Sequence, residues 1–192
     1  MFKIFFYINE LNDIQKENLN QLKNANIIYR NYQKTDYLGN AFKLKDYCKR
    51  RNFKLYVSND EKLAIKLKSY GLYLPSFNNK KKYLKSSIPL IGSAHNEIEL
   101  RKKIDQGCKE IFVSPIFNTQ SGSNKVGKGL SFYQNLLLKF PKINIHALGG
   151  INAKNIKKII TLKGKGFSSI SMINKKMKKD LISYLNLIAT NL

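Results

Sequence analysis

A chain of 192 residues, 43% hydrophobic and 11% aromatic, can build one core and is short for two domains. Lys and Arg number 35 against 12 Asp and Glu, a net charge of +23, and no run reaches the ~18 apolar residues of a membrane span. This composition excludes an intrinsically disordered chain and a helical membrane protein.

The opening MFKIFFYINE is apolar but reaches Asn9-Glu10 early and has no small-residue cleavage site, so a strand is expected there rather than a leader, and a cytoplasmic protein overall. Lys3 to Ile8 is the first predicted strand. Asn12 or Asp13 caps a helix with Ile14, Leu19 and Leu22 on one side. Asn26 to Tyr29 is a second strand ending at Arg30, and a helix over about Asn40 to Arg51 turns Phe42, Leu44, Tyr47 and Cys48 inward. Phe53 to Val57 is the third strand; Ser58-Asn59-Asp60 leads to a helix carrying Leu63, Ala64 and Leu67. A fourth strand, Gly71 to Leu74, stops at Pro75, and Lys80-Lys81-Lys82 heads a basic segment read as an exposed short helix. Pro89 to Gly92 is the fifth strand, followed by Ser93-Ala94-His95-Asn96 and a helix with Ile98 and Ile104. Ile111 to Val113 and Ile143 to Leu148 are the sixth and seventh, separated by a helix near Ser131 to Phe140. Phe167 to Ile173 is the eighth, and a helix over about Lys178 to Ala189 ends the chain.

The sixth strand runs into Ser114-Pro115 and a Gly/Ser/Lys loop from Asn118 to Gly129. Its glycines and hydroxyls can present N–H and O–H donors to an anion, with Lys125 and Lys128 adding charge. The seventh strand ends in Gly149-Gly150, with Asn152 where a helix N-cap belongs, an arrangement that sets free N–H groups against a phosphate. A Gly-Gly turn alone is more often only tight geometry. One strand–loop–helix–strand unit separates the two loops, however, which puts both on the same rim of a parallel sheet.

Eight short, continuously apolar strands alternating with helices call for a parallel sheet, and eight closes a (β/α)8 TIM barrel, here one compact domain over 1–192. The competitor, an open doubly wound sheet, would carry a glycine-rich turn after its first strand; Ile8-Asn9-Glu10 has none. In a barrel the site lies at the C-terminal strand ends, here Arg30, Ser58, Asn59, Asn78, Ser93, His95, Thr119, Ser121, Gly149, Gly150, Ile173 and Asn174. That set is polar, hydroxyl-bearing and poor in carboxylates, suited to phosphate more than to paired-carboxylate chemistry. Cys48 and Cys108 lie far apart without metal-ligand spacing, and each reads as a small buried hydrophobe in a reducing compartment.

The segments SAHN, SPIFNTQS, ALGGI and SMI, together with NDEKLA upstream, resemble the thiamine phosphate synthase/TenI family, a (β/α)8 barrel family. The resemblance implies phosphorylated small-molecule substrates. Its synthases join an aminopyrimidine diphosphate to a thiazole phosphate with Mg2+ assisting diphosphate departure, and its TenI branch tautomerises the thiazole phosphate. Carried across, Arg30 falls on a diphosphate-contacting arginine, its glutamine and lysine neighbours becoming Ile28 and Tyr32. Ser93 falls on a pyrimidine-side serine, Thr119 on a threonine near the thiazole phosphate or carboxylate, Ser121 takes the place of a second threonine, and Lys125 stands in for a lysine replaced by Gly122. Gly150, Ile173 and Asn174 fall on the phosphate cradle. The metal aspartates become Asn59 and Asn78; a one-residue slip would offer Asp60, which serves equally as a helix N-cap. Mg2+ prefers carboxylate charge, so both replacements weaken diphosphate-departure chemistry. His95 falls where the TenI branch moves protons, though a structural hydrogen-bonding role fits it as well, and His146 reads as a core residue.

Three readings stay open in this order: a synthase, a TenI-like isomerase or phosphate-ligand binder, and a basic nucleic-acid-associated protein. A homodimer is compatible with any of them. Against the third, lysines are spread along the whole chain and arginines number four, so nucleic-acid contact is expected to be non-specific at most.

Overall fold

The computed structural model describes residues 2–33, 36–81, 88–120 and 126–191. Its strands are β1 (Lys3–Ile8), β2 (Asn26–Tyr29), β3 (Lys54–Ser58), β4 (Gly71–Leu74), β5 (Leu90–Ala94), β6 (Glu110–Val113), β7 (Asn144–Leu148) and β8 (Gly166–Ser169). They pair in parallel, in sequence order, and Lys3 to Phe6 pair with Gly166 to Ser169 to close the ring. Closure rules out the open doubly wound sheet. Around the ring stand α1 (Asp13–Asn20), α2 (Tyr37–Arg51), α3 (Glu61–Lys66), α4 (Glu97–Asp105), α5 (Gly129–Lys139), α6 (Ile156–Thr161) and α7 (Lys179–Asn191). No helix among the described residues is long and apolar enough to cross a membrane.

The strands read as unbroken apolar runs because both of their faces are buried. Phe5, Tyr7, Ile28, Tyr56, Tyr73, Ile91, Phe112 and Leu148 point into the barrel and pack together. Their neighbours Phe6, Ile8, Ile27, Tyr29, Leu55 and Val57 belong to the layer beneath the helices. The interior is aromatic: Phe5 meets Phe112 edge-on with centroids 4.8 Å apart, and Tyr7 meets Tyr73 likewise at 5.5 Å. Each such ring contributes ~1.5–3 kcal/mol through burial. Cys48 and Cys108 are both buried, and burial pushes each thiol up to about 12, so they act as apolar filler.

Several local expectations need correcting. Asn12 does cap α1, bonding the Gln15 amide at 2.9 Å in a capping box. Ile14, however, is exposed, and the inward face of α1 carries the polar Gln15 and Asn18. Asn18 donates to the carbonyls of Ile173 and Lys175 and accepts from the Met177 amide, so α1 serves as a polar clamp on the chain after β8. Phe42 and Ile98 also face outward; Leu100 fills the place expected for Ile98. The eighth strand stops at Ser169 and gives way to a 3-10 turn over Met172–Asn174. Lys80 and Lys81 belong to no helix, and Lys82 lies outside the described residues.

At the N-terminal end of the barrel, Glu110 bonds both Lys3 and, at 3.0 Å, His146 Nε2. His146 is a fully buried core residue stacked on Phe112. Burial pushes its imidazole below its ordinary value, only partly opposed by Glu110, so the ring is neutral and donates Nε2–H. Burial would raise the Glu110 carboxyl, but the His146 and Lys3 bonds overcome it and hold the group at about 2. Both groups take up protons more readily when unfolded. Stability is therefore full above about pH 6.5, falls as the unfolded histidine protonates, and falls again between about 4.5 and 2 as the unfolded glutamate protonates. Urea unfolding at pH 7, 5.5 and 4 should show this decline. Glu110→Gln should cost about 1–3 kcal/mol at pH 7 and flatten the loss below pH 4.5, as the ionised carboxylate is gone.

Candidate active site at the barrel mouth

At the C-terminal ends of the strands lies a pocket of about 430 Å³. Arg30, Tyr73, Ser93, His95, Ser114, Thr119, Leu148 and Gly149 contribute to its lining, from five different strands or the loops after them. A smaller recess adjoins it, walled by Thr119, Gly149, Gly150, Ile151 and the run Ser168 to Ser171. Thr119 and Gly149 belong to both, so the loops after β6 and β7 meet at one mouth as their spacing predicts.

Two glycines make that meeting close. Gly149 and Gly150 have φ of +90° and +67°. A Cβ on Gly150 would stand 2.3 Å from the Asn118 carbonyl oxygen, and one on Gly149 would stand 2.7 Å from Pro115 Cβ. The Ile116 and Phe117 amides then donate to the carbonyls of Leu148 and Gly149 at 2.9 and 3.1 Å. The pair therefore has a packing requirement in addition to any role toward a ligand.

The recess differs from expectation in two ways. Asn152 does not begin the helix: α6 starts at Ile156, and the amides of Asn152, Lys154, Asn155 and Ile156 are bonded within the Asn152–Asn155 turn. The helix start expected at Asn152 is therefore displaced to Ile156, and Thr119, Ser168, Ser169 and Ser171 bring hydroxyl-bearing side chains to the lining of the recess. Ile173 and Asn174 also lie elsewhere: Ile173 is fully buried, and Asn174 accepts from Gln15 at 2.7 Å. Ser169 to Ser171, three to four residues earlier, line the recess instead. Ser121 and Lys125 fall outside the described residues.

On the opposite wall, His95 Nδ1 sits 3.0 Å from Glu99 Oε2, which also accepts the His95 amide at 2.8 Å. Asn96 positions this carboxylate by capping α4 through the Glu99 amide, at 2.9 Å. In the neutral ring Nδ1–H donates to Glu99, leaving Nε2 as the basic nitrogen on the pocket wall. Glu99 was not among the sequence candidates, although Asn96 and Glu99 stand at capping-box spacing. Tyr73 and Ser93 form the floor, and the Tyr7 hydroxyl donates to that of Tyr73 at 3.1 Å. Burial raises both phenols above their ordinary range, so they stay protonated as hydrogen-bond donors, while the Ser93 and Tyr7 bonds partly oppose the rise at Tyr73.

A family model described as thiamine monophosphate synthase matches residues 10–173. The chain belongs to the thiamine monophosphate synthase family. It is 30% identical over 155 residues to the thiamine-phosphate synthase of Prochlorococcus marinus (strain AS9601), covering 76% of this chain and 41% of that protein. Thiamine-phosphate synthase 1 of Streptococcus pneumoniae (strain ATCC BAA-255 / R6) is 30% identical over 141 residues, covering 70% and 66%. The chain thus spans about two fifths of the length of the Prochlorococcus relative. In fold it is similar to a thiamine phosphate pyrophosphorylase from Pyrococcus furiosus, with a TM-score of 0.77 at 15% identity over 98% of this chain and 94% of the other. The corresponding protein from Bacteroides thetaiotaomicron gives 0.64 at 16%, over 98% and 96%.

The residues expected to hold Mg2+ do not fit that ion. Asn59 and Asn78 come together, but Asn78 Nδ2 donates to Asn59 Oδ1 at 2.6 Å, which uses the amide oxygen that a cation would need. Gln106 donates to Asn78 Oδ1, and the Lys103 ammonium lies 2.7 Å from the Asn78 carbonyl. Asp60 caps α3 through the Leu63 amide at 2.9 Å and accepts from the Tyr37 hydroxyl. Neutral amides beside an ammonium are a poor seat for a hard dication. Arg30 stacks 4.5 Å from the Tyr7 ring centroid, and no carboxylate among the described residues pairs with it. Gly150→Ala should destabilise the fold by about 1–3 kcal/mol through its collision with Asn118 and its positive φ. Thermal melting of the parent and the variant reads this loss.

Proposed function

We propose that this chain acts on a phosphorylated thiazole at the barrel mouth, with the phosphate in the Gly149–Gly150 recess and His95 moving a proton on the ring. The observation that carries this reading is the His95–Glu99 pair on the wall of the same pocket that leads to the recess. His95 Nε2 takes a proton from one ring position and returns it to another, so the net reaction is a tautomerisation without loss of atoms. Glu99 holds the ring in the required tautomer and favours the imidazolium formed midway. Tyr73 and Ser93 supply hydroxyl donors to the charge that develops on the substrate.

The coupling of aminopyrimidine diphosphate with thiazole phosphate is the second reading, supported by the names of the 30% identical relatives and by Arg30 and Ser93 in the pocket. The Asn59–Asn78 pair argues against it, because diphosphate departure draws on a metal that these amides do not suit. Proton exchange into thiazole phosphate in heavy water, followed by NMR, should be fast in the parent. It should fall about 10²–10³-fold in His95→Ala and about tenfold in Glu99→Gln, with phosphate affinity within threefold of the parent. Exchange unchanged in His95→Ala contradicts the assignment, and thiamine phosphate formed from both substrates with Mg2+ establishes the coupling reading.

A further inference from the structure

Tyr32 and Phe77 are 56% and 62% exposed, yet both line the mouth pocket. They reach it from the loops after β2 and β4, with ring centroids 6.2 Å apart and planes inclined by 58°. Two neighbouring exposed rings at a cavity rim are a feature of ligand contact more than of folding, because their burial is left for an occupant. Arg30 fixes the arrangement. Its guanidinium lies between two rings, 4.5 Å from the Tyr7 centroid and 5.6 Å from that of Tyr32, which anchors Tyr32 to the barrel floor.

The phosphate recess is built by the loops after β6, β7 and β8, across the ring from β2–β4. An occupant anchored there by phosphate extends toward Tyr32 and Phe77. These faces are uncharged and suit a flat ring. A second phosphate reaching the same place would meet a single cation, Arg30, already stacked between Tyr7 and Tyr32, with the neutral Asn59–Asn78 pair in place of a metal. We propose that Tyr32 and Phe77 form a stacking platform that selects phosphomonoesters bearing a planar heteroaromatic ring over ring-less phosphomonoesters and over diphosphate. This rests on the phosphate reading of the recess given above.

The test is calorimetric titration with thiazolylethyl phosphate, ethyl phosphate, and inorganic diphosphate with Mg2+. The parent should bind the thiazole ester at least about tenfold tighter than ethyl phosphate, the scale of one aromatic stack. Tyr32→Ala and Phe77→Ala should each cut that ratio below about threefold while leaving ethyl phosphate affinity and melting temperature unchanged, and Tyr32→Phe should preserve it. A ratio unchanged in both alanine variants overturns the platform, as does diphosphate binding more tightly than the thiazole ester, or no phosphomonoester binding at all. Loss of His95-dependent proton exchange with the ring preference intact strikes the proposed reaction alone. Lost ring preference with exchange intact strikes the platform alone.

Discussion

The approach of Gly150 to the Asn118 carbonyl is the contact on which the site depends. With 2.3 Å between that oxygen and the place a Cβ would occupy, only glycine lets the loops after β6 and β7 share a wall. The bond from the Phe117 amide to the Gly149 carbonyl then holds them together. Closure of the ring through β1 and β8 brings the serine run after β8 to the same place. Three loops distant in sequence become one recess because a parallel eight-stranded barrel leaves the ends of its strands nowhere else to meet.

The mouth is polarised. Its β6–β8 side is rich in glycine and hydroxyls, its wall carries a histidine oriented by a carboxylate, and its β2–β4 side is aromatic around one arginine. Beneath it the interior is packed with rings, and the ionisable groups of the barrel's far end are committed to one another through Glu110. The +23 surface adds long-range attraction for anions without deciding which anion binds.

The barrel was legible in the sequence because strands buried on both faces cannot alternate, and eight such runs appear at short intervals. The rim positions of Arg30, Ser93, His95, Thr119 and Gly149 followed from the same strand ends. The recess after β8 was misplaced because Phe167 to Ile173 reads as one strand, whereas the backbone turns after Ser169, its turn held by the bond from the Met172 amide to Ser169 Oγ. That turn is stabilised from outside by Asn18, a helix residue that apolar periodicity assigns to solvent. Asn152 was misjudged for a related reason: its side chain caps a turn preceding the helix, and local bonding of this kind has the same sequence signature as an N-cap. The Asn59–Asn78 bond joins two loops 19 residues apart and needed the ring to be seen.

The central claim is that an anionic group is gripped where the loops after β6 and β7 converge. A crystal structure of the protein soaked with ethyl phosphate tests it most directly. The account predicts phosphate density in the recess bounded by Thr119, Gly150 and Ser171. Density only among the surface lysines around Lys175 to Lys178, with that recess empty, would contradict it.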